Sequence, residues 1–276
     1  MKSFSSLSRH AVLVSLTLLS GAHAGIVVNL GKVVVDLGQD GHARRELEVA
    51  NTDNRTADVT IFAADWNQDV NGAVEAIDPS TNKAPDSATG WIAVTPQKFV
   101  LKKGEKKIVT VSLDTPNQPM GLKEYRSMVF AETTDERAAE STAFGREVRI
   151  RTISRIGTKI FVNNPAVAVK LDCAVTKVAE ITRDGKRGLE IQTANNGNVH
   201  IQSDNSNVVF RDEGGKSVAS LPVPSFSILP RQKRTVFFEL PEEGKSKLEK
   251  GKKYSALAVL DYGGSDLVAG ELEFIY

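Results

Sequence analysis

Along most of the chain, apolar residues recur at every second position, in short β-branched runs separated by clusters of Gly, Asn, Asp and Pro. VVNLGKVVVDL, ELEVAN, ADVTIFAADW, KKIVTVSL and YRSMVFAE carry this pattern in the first half. GLEIQTAN, HIQSDNSNVVF, RTVFFEL, YSALAVL and AGELEFIY continue it in the second. Successive side chains of a strand point to opposite faces, so each run predicts a strand with one buried face. No long segment of helical period appears beyond the N-terminal stretch, which excludes the alternating strand and helix order of doubly wound enzymes.

The longest alternating stretch is REVRIRTISRIGTKIFV, from Arg146 to Val162, with no proline to interrupt it. It reads as a strand of about sixteen residues, against the five or six of an ordinary one. Val148, Ile150, Ile156, Ile160 and Val162 share one parity, and Arg149, Arg151, Arg155 and Lys159 fall mostly on the other. Such a strand serves as buried core, as a sheet edge awaiting a partner, or as both in turn.

An internal repeat divides the chain. PQKFVLKKGEKKIVTVSL, from Pro96 to Leu113, is echoed by PSFSILPRQKRTVFFEL, from Pro224 to Leu240. Each copy sets an apolar anchor before a basic turn and an alternating strand, as two strands joined across a sandwich corner require. Each is followed by a tyrosine-led strand, at Tyr125 and Tyr254, which resembles the tyrosine corner of immunoglobulin-like folds. The expectation is an all-β chain of two immunoglobulin-like β-sandwich domains in tandem, 25–164 and 165–276, divided at Asn163-Asn164-Pro165.

The start of the chain has a different character. Lys2 and Arg9 precede an apolar run, Ala11 to Leu19, which exits through Ala22-His23-Ala24. A charged start, a short apolar run and a small-x-small exit predict a signal peptide over 1–24, cleaved after Ala24. The run is shorter than the roughly 20 residues of a permanent membrane span. The expected location is therefore a bacterial periplasm, with no membrane span after cleavage. The single Cys173 forms no internal disulfide, so stability has to come from hydrophobic cores. With 35 Lys and Arg against 34 Asp and Glu, charge gives no reason to expect nucleic acid or an anionic membrane as partner.

Catalytic signals are poor. His10, His23, His42 and His200 show no metal-ligand spacing, and neither a GxSxG elbow nor a phosphate-binding glycine loop is present. Asp65 and Asp69, flanking Trp66, can be read as a carboxylate pair, but a strand end followed by the loop NQDVNG accounts for them better. Cys173 reads as a small core residue rather than a nucleophile. Asn54-Arg55-Thr56 matches a glycosylation sequon that a turn explains equally well, and GKSKLEKGKKY reads as a solvated loop. No enzyme activity, cofactor or metal is expected.

Taken in order, the motifs resemble the periplasmic pilus chaperones of the chaperone/usher pathway. VVVDLGQDGHARRELEVANTD resembles that family's opening strands, and WIAVTPQKFVLKKGEKKIVTVSL its proline, glycine turn and V-x-V strand. EYRSMVFAE, the loop TTDERAAESTAFG and the long strand from Arg146 match the end of the first domain, and LDYGGSDLVAGELEF the closing hairpin of the second. The resemblance implies that the long strand is lent to a pilus subunit whose own sandwich lacks a strand. Main-chain hydrogen bonds then supply affinity and alternate side chains fill the subunit's groove. By position, Val148, Ile150 and Ile156 are the inserted residues. The resemblance also implies that Lys32 and Lys159, in the cleft between the domains, hold the subunit's terminal carboxylate, where a charge-assisted contact fixes register.

Two departures stand out. Thr152 and Ser154 occupy the middle of the donor parity, and Val162-Asn163-Asn164-Pro165 replaces the family's tyrosine-arginine-proline ending, so Arg155 is an alternative to Lys159. The expected partners are a pilus-like subunit and an outer-membrane usher, with self-association of the free protein through its open edge. An exported structural or adhesive protein with two immunoglobulin-like domains is the alternative, since fold alone does not choose a function.

Overall fold

A computed structural model describes residues 25–37, 40–77, 84–116, 121–141, 146–242 and 247–276, with the backbone alone for 136–141 and 146–150. The segment read as a signal peptide, 1–24, lies outside the described residues. No α-helix occurs among the described residues, and none of them forms a helix long and apolar enough to cross a membrane.

The first half supplies β1 (Ile26–Val28), β2 (Lys32–Asp36), β3 (His42–Asn51), β4 (Ala57–Ala64), β5 (Trp66–Gln68), β6 (Val74–Ala76), β7 (Ile92–Thr95), β8 (Lys98–Leu101), β9 (Lys106–Asp114), β10 (Glu124–Ser141) and β11 (Arg146–Asn163). One sheet runs β1-β3-β9-β7 and the other β2-β11-β10-β4-β8, with β5 and β6 paired apart from both. Alternation decides which side chains enter the space between them. In β9, Val109, Val111 and Leu113 are buried while Lys106 and Lys107 face water, and Leu47, Val49, Val59 and Ile61 meet them from β3 and β4. Each such side chain contributes roughly 1.5–3 kcal/mol when fully buried.

The second half supplies β12 (Cys173–Arg183), β13 (Lys186–Asn195), β14 (Ile201–Ser203), β15 (Asn207–Arg211), β16 (Ser217–Pro222), β17 (Phe226–Ile228), β18 (Lys233–Glu239), β19 (Lys253–Leu260) and β20 (Val268–Ile275). Its sheets run β12-β13-β18 and β16-β15-β19-β20, beside the pair β14-β17. They enclose a second core around Leu189, Ile191, Phe210, Phe238 and Phe274. Cys173 packs into that core, and burial raises its thiol pKa, which suits a small packing residue. The chain is thus all-β, two immunoglobulin-like β-sandwiches in tandem.

The repeated motif is a repeated corner. β8 and β9 lie in opposite sheets of the first sandwich, and β17 and β18 likewise belong to different sheets. The two tyrosines close equivalent turns. The Leu122 N–H donates to Tyr125 Oη at 3.1 Å, and the Glu249 N–H to Tyr254 Oη at 3.0 Å.

One expectation needs correction. TTDERAAESTAFG reads as a loop, yet β10 continues through it to Ser141, paired residue for residue with β11 from Glu124↔Asn163 to Ser141↔Arg146. β4 flanks β10 only from Met128 to Thr133, so the outer half of this hairpin is a two-stranded arm. Backbone hydrogen bonds hold it. No second sheet covers it among the described residues, so the strand needs no apolar alternation, and sequence periodicity does not reveal it.

Candidate binding edge and interdomain cleft

The strand from Arg146 changes surroundings along its length. β2 lies parallel to β11 only over Lys32–Asp36, opposite Lys159–Asn163. From Arg146 to Gly157, the side of β11 away from β10 has no strand partner among the described residues. Ile160 and Val162 are buried in the first core, whereas Ile156, on the same parity, is 37% exposed. Between them the Thr158 hydroxyl is tied to the Leu30 carbonyl at 2.7 Å, marking where the strand leaves the sandwich. The core-facing parity therefore continues past Thr158 out of the sandwich to Ile156.

Thr152 and Ser154 follow on the same parity, exposed. Val148 and Ile150 stand opposite Ala139 and Arg137 in the ladder, and their side chains lie outside the described residues. On the other parity Ile153 is 48% exposed, an apolar position that the alternation argument had not singled out. Arg155 is engaged: its Nε donates to Glu132 Oε2 at 2.5 Å, and its guanidinium lies 5.8 Å from the Phe62 ring centroid.

At the foot of the open edge Lys159 and Lys32 are direct neighbours in the parallel register, which turns both toward the same face. Val33 and Val35 alternate with Lys32 along β2 and point into the core opposite Ile160 and Val162, so the lysines face the cleft. Lys159 Nζ lies 5.1 Å from the Trp66 ring centroid. Trp66 is itself fixed, its indole N–H donating to the Ser127 carbonyl at 3.0 Å. Burial pushes the Lys159 pKa below its ordinary value, and the like charges of Lys32 and Arg234 push it the same way.

The cleft is built from both sandwiches. Ala64, Trp66, Met128, Phe130 and Phe161 of the first pack with Leu229 of the second. Phe161 stacks on His200 at 3.9 Å between centroids. Glu124 then takes the His200 backbone N–H at 2.9 Å and its ring Nδ1 at 2.6 Å, deep in the interface. The β5–β6 turn docks on β18, where the Thr235 N–H donates to the Val70 carbonyl at 2.7 Å. Glu124 and Arg234 sit in stretches that the repeat marks, but neither they nor His200 carry a local motif that announces this contact.

Asp65 and Asp69 do not form a pair of catalytic type. Asp65 is buried and accepts from Ala84 N–H, Ser87 and Thr89, while Asp69 caps its own turn through the Ala73 N–H at 2.7 Å. No group of three metal-ligating side chains occurs among the described residues.

No protein-family model and no curated protein matches the chain. Solved structures do match it. The fold is similar to that of several chaperones, one of them from chaperone-usher pili. The CsuC–CsuE chaperone–tip adhesion subunit pre-assembly complex, from the archaic chaperone-usher Csu pili of Acinetobacter baumannii, matches with 14% identity and a TM-score of 0.44, over 90% of this chain and 98% of that one. The CupB2 chaperone of Pseudomonas aeruginosa matches with 14% identity and a TM-score of 0.44, over 90% of this chain and 99% of its own. The E. coli chaperone DraB shows 19% identity and a TM-score of 0.41, over 90% and 98%. These likenesses concern the fold; what the cleft does follows from its own residues.

Proposed function

We propose that this chain is a non-enzymatic periplasmic chaperone that binds exported pilus-type subunits by lending them the open edge of β11. One observation carries the reading: from Arg146 to Gly157 one edge of β11 has no strand partner among the described residues, and the core-facing parity runs past Thr158 out to Ile156. An unpaired row of N–H and C=O groups is a template for another strand. A client lacking one strand completes its sheet there, with Val148, Ile150 and Ile156 filling its groove. The lysine pair at the foot of the edge takes the client's terminal carboxylate, which fixes how far the client strand slides. Segment 1–24 directs export and is cleaved after Ala24, and an outer-membrane usher receives the complex.

The two-unit division at Asn164 and Pro165 belongs to the same proposal. The segment between Asn163, where β11 ends, and Cys173, where β12 begins, carries no strand. Limited proteolysis of the free chain is expected to give two resistant pieces, with early cuts there or near the tip of the β10–β11 arm. A single indivisible resistant core would refute the division.

Lys159 supplies the direct test of the carboxylate contact. Truncating one partner of a buried, hydrogen-bonded charge pair costs roughly 2–5 kcal/mol, and a half-buried lysine belongs at the lower end. Lys159→Ala is therefore expected to weaken the complex by about 2 kcal/mol, read as a rise in the Kd for the client. The contact also has a pH signature. Because the folded state lowers the Lys159 pKa, the ammonium deprotonates before the usual 10.5 is reached. Client capture is expected to fall in that alkaline interval, while the free chain gains stability from this group as the buried charge is lost. Capture that is indifferent both to Lys159→Ala and to alkaline pH would place the carboxylate elsewhere.

A further inference from the structure

The second sandwich contributes a cation to the same cleft. Arg234 lies on β18, its carbonyl accepting from Thr193 Oγ1 at 3.1 Å, one residue before the Thr235 N–H that binds the β5–β6 turn. The backbone is therefore held from two sides. The guanidinium lies flat against Gly72, where φ is +90° and a Cβ would sit 1.6 Å from Arg234 Nη1. Glycine at that turn is what admits the side chain.

What the guanidinium does there is unusual. Its Nε and Nη1 are buried and have no hydrogen-bond partner. Guanidinium N–H groups are obligatory donors, and leaving them buried and unmet is costly. The charge of Asp69 opposes that of Arg234, but one of its oxygens is occupied by the Ala73 N–H, and no carboxylate bonds Arg234 among the described residues. Neither Lys32 nor Lys159 makes a direct ion pair among the described residues, Lys32 having only the field of Asp204 opposite it, and the field of Arg234 reaches Lys159. Three like charges thus act on one another in the cleft, and two of the guanidinium's donors are unmet.

We propose that Arg234 is a third ligand for the client's terminal carboxylate, so that the anion is gripped from both sandwiches at once. The inference rests on the reading of Lys32 and Lys159 given above and adds to it a specific donor. A carboxylate presents two oxygens with about four acceptor positions, and a guanidinium presents its N–H groups as a planar fork that matches them, which two lysine point charges do not. When the guanidinium turns off Gly72 toward the anion its buried donors become reachable, and binding then satisfies them and neutralises the mutual repulsion. It also ties β18 to β11, so the site is complete only while the two sandwiches keep their mutual orientation.

A structural role and a ligand role for Arg234 have opposite signatures. A side chain that holds the fold destabilises the free chain when it is removed. A half-buried cation with unmet inner donors does not, and an apolar replacement of similar length is neutral or stabilising. The test uses the whole mature chain and a synthetic alternating apolar peptide of about ten residues, long enough to pair with the open edge of β11, made once with a free C-terminal carboxylate and once as the amide. The native chain is expected to bind the acid at least tenfold more tightly than the amide. Arg234→Met is expected to lose most of that preference with an unchanged or higher Tm, and Arg234→Lys to recover only part of it, since charge returns without the fork. Retention of the full preference by Arg234→Met overturns this inference and leaves the lysine reading standing. A native chain that does not distinguish acid from amide overturns both. A fall in Tm for Arg234→Met with the preference intact assigns the residue to the fold.

Discussion

Ile150→Asp/Ile156→Asp is expected to abolish client capture while the free chain still folds. Ile156 stands on the core parity of β11 beyond the point where the sandwich ends, and it is 37% exposed in the free chain. A charge at such a position costs the isolated molecule little, within about 0.5 kcal/mol for an ordinary surface change. In the complex the same carboxylate enters an apolar groove without a partner, at a cost of several kcal/mol. At 1.4 kcal/mol per tenfold, two such charges weaken binding by on the order of ten-thousandfold. Ile153→Asp is the control, because it changes a still more exposed isoleucine, 48% against 37%, on the opposite face. Pull-down of the client against thermal melting of the free chain separates the outcomes. Unchanged capture by the double variant rules out the donated strand. Unfolding of the free double variant places the strand in its own core and favours the structural or adhesive reading.

The residues that the sequence exposed most clearly are those whose environment imposes a period. Val109, Val111 and Leu113 alternate because β9 has a core on one side and water on the other, and the same constraint makes Tyr125 and Tyr254 recur at matching corners. Where that constraint lapses, periodicity has nothing to report. The outer half of β10 is held by its ladder to β11 and needs no apolar face, so Thr133 to Ser141 read as loop. Resemblance brought Lys32 and Lys159 together, and the parallel register makes them neighbours although they are far apart in sequence. Arg234 against Gly72, and Glu124 against His200, are contacts between the sandwiches. They depend on how two separately patterned units meet, which no run of either chain segment encodes. Arg155 was legible as an exposed basic residue, but its engagement with Glu132 is a property of the cross-strand register rather than of its own stretch.

Asp65 illustrates what a buried carboxylate does when it is not chemistry. It sits between β4 and β5, 8% exposed, and accepts from the Ala84 N–H at 3.1 Å, Ser87 Oγ at 2.6 Å and Thr89 Oγ1 at 2.5 Å. Those three donors lie on the segment that carries Ala88 and Trp91 against the first core, where Trp91 meets the Tyr125 ring at 4.6 Å between centroids. Asp65→Ala removes the common acceptor. The two hydroxyls can turn toward other partners, as the 2.8 Å contact between Thr89 and Ser127 already allows, but the Ala84 N–H is fixed by its backbone. Hydrogen bonds to a charged group are worth about 1.5–3 kcal/mol each, and a buried donor left unmet adds its own desolvation penalty. The expected loss is therefore roughly 3–5 kcal/mol, a large share of the 5–15 kcal/mol that holds an ordinary domain together. It should appear as a lower urea midpoint with an unchanged slope. Asp65→Asn keeps one oxygen for the hydroxyls and turns an amide toward a backbone donor, so its loss is expected to be intermediate. Below the unfolding transition both variants should still capture the client, because Asp65 acts on the fold and not on the open edge. A midpoint unmoved by Asp65→Ala would show that water replaces the carboxylate at little cost, and loss of capture by a fully folded variant would draw Asp65 into the binding site.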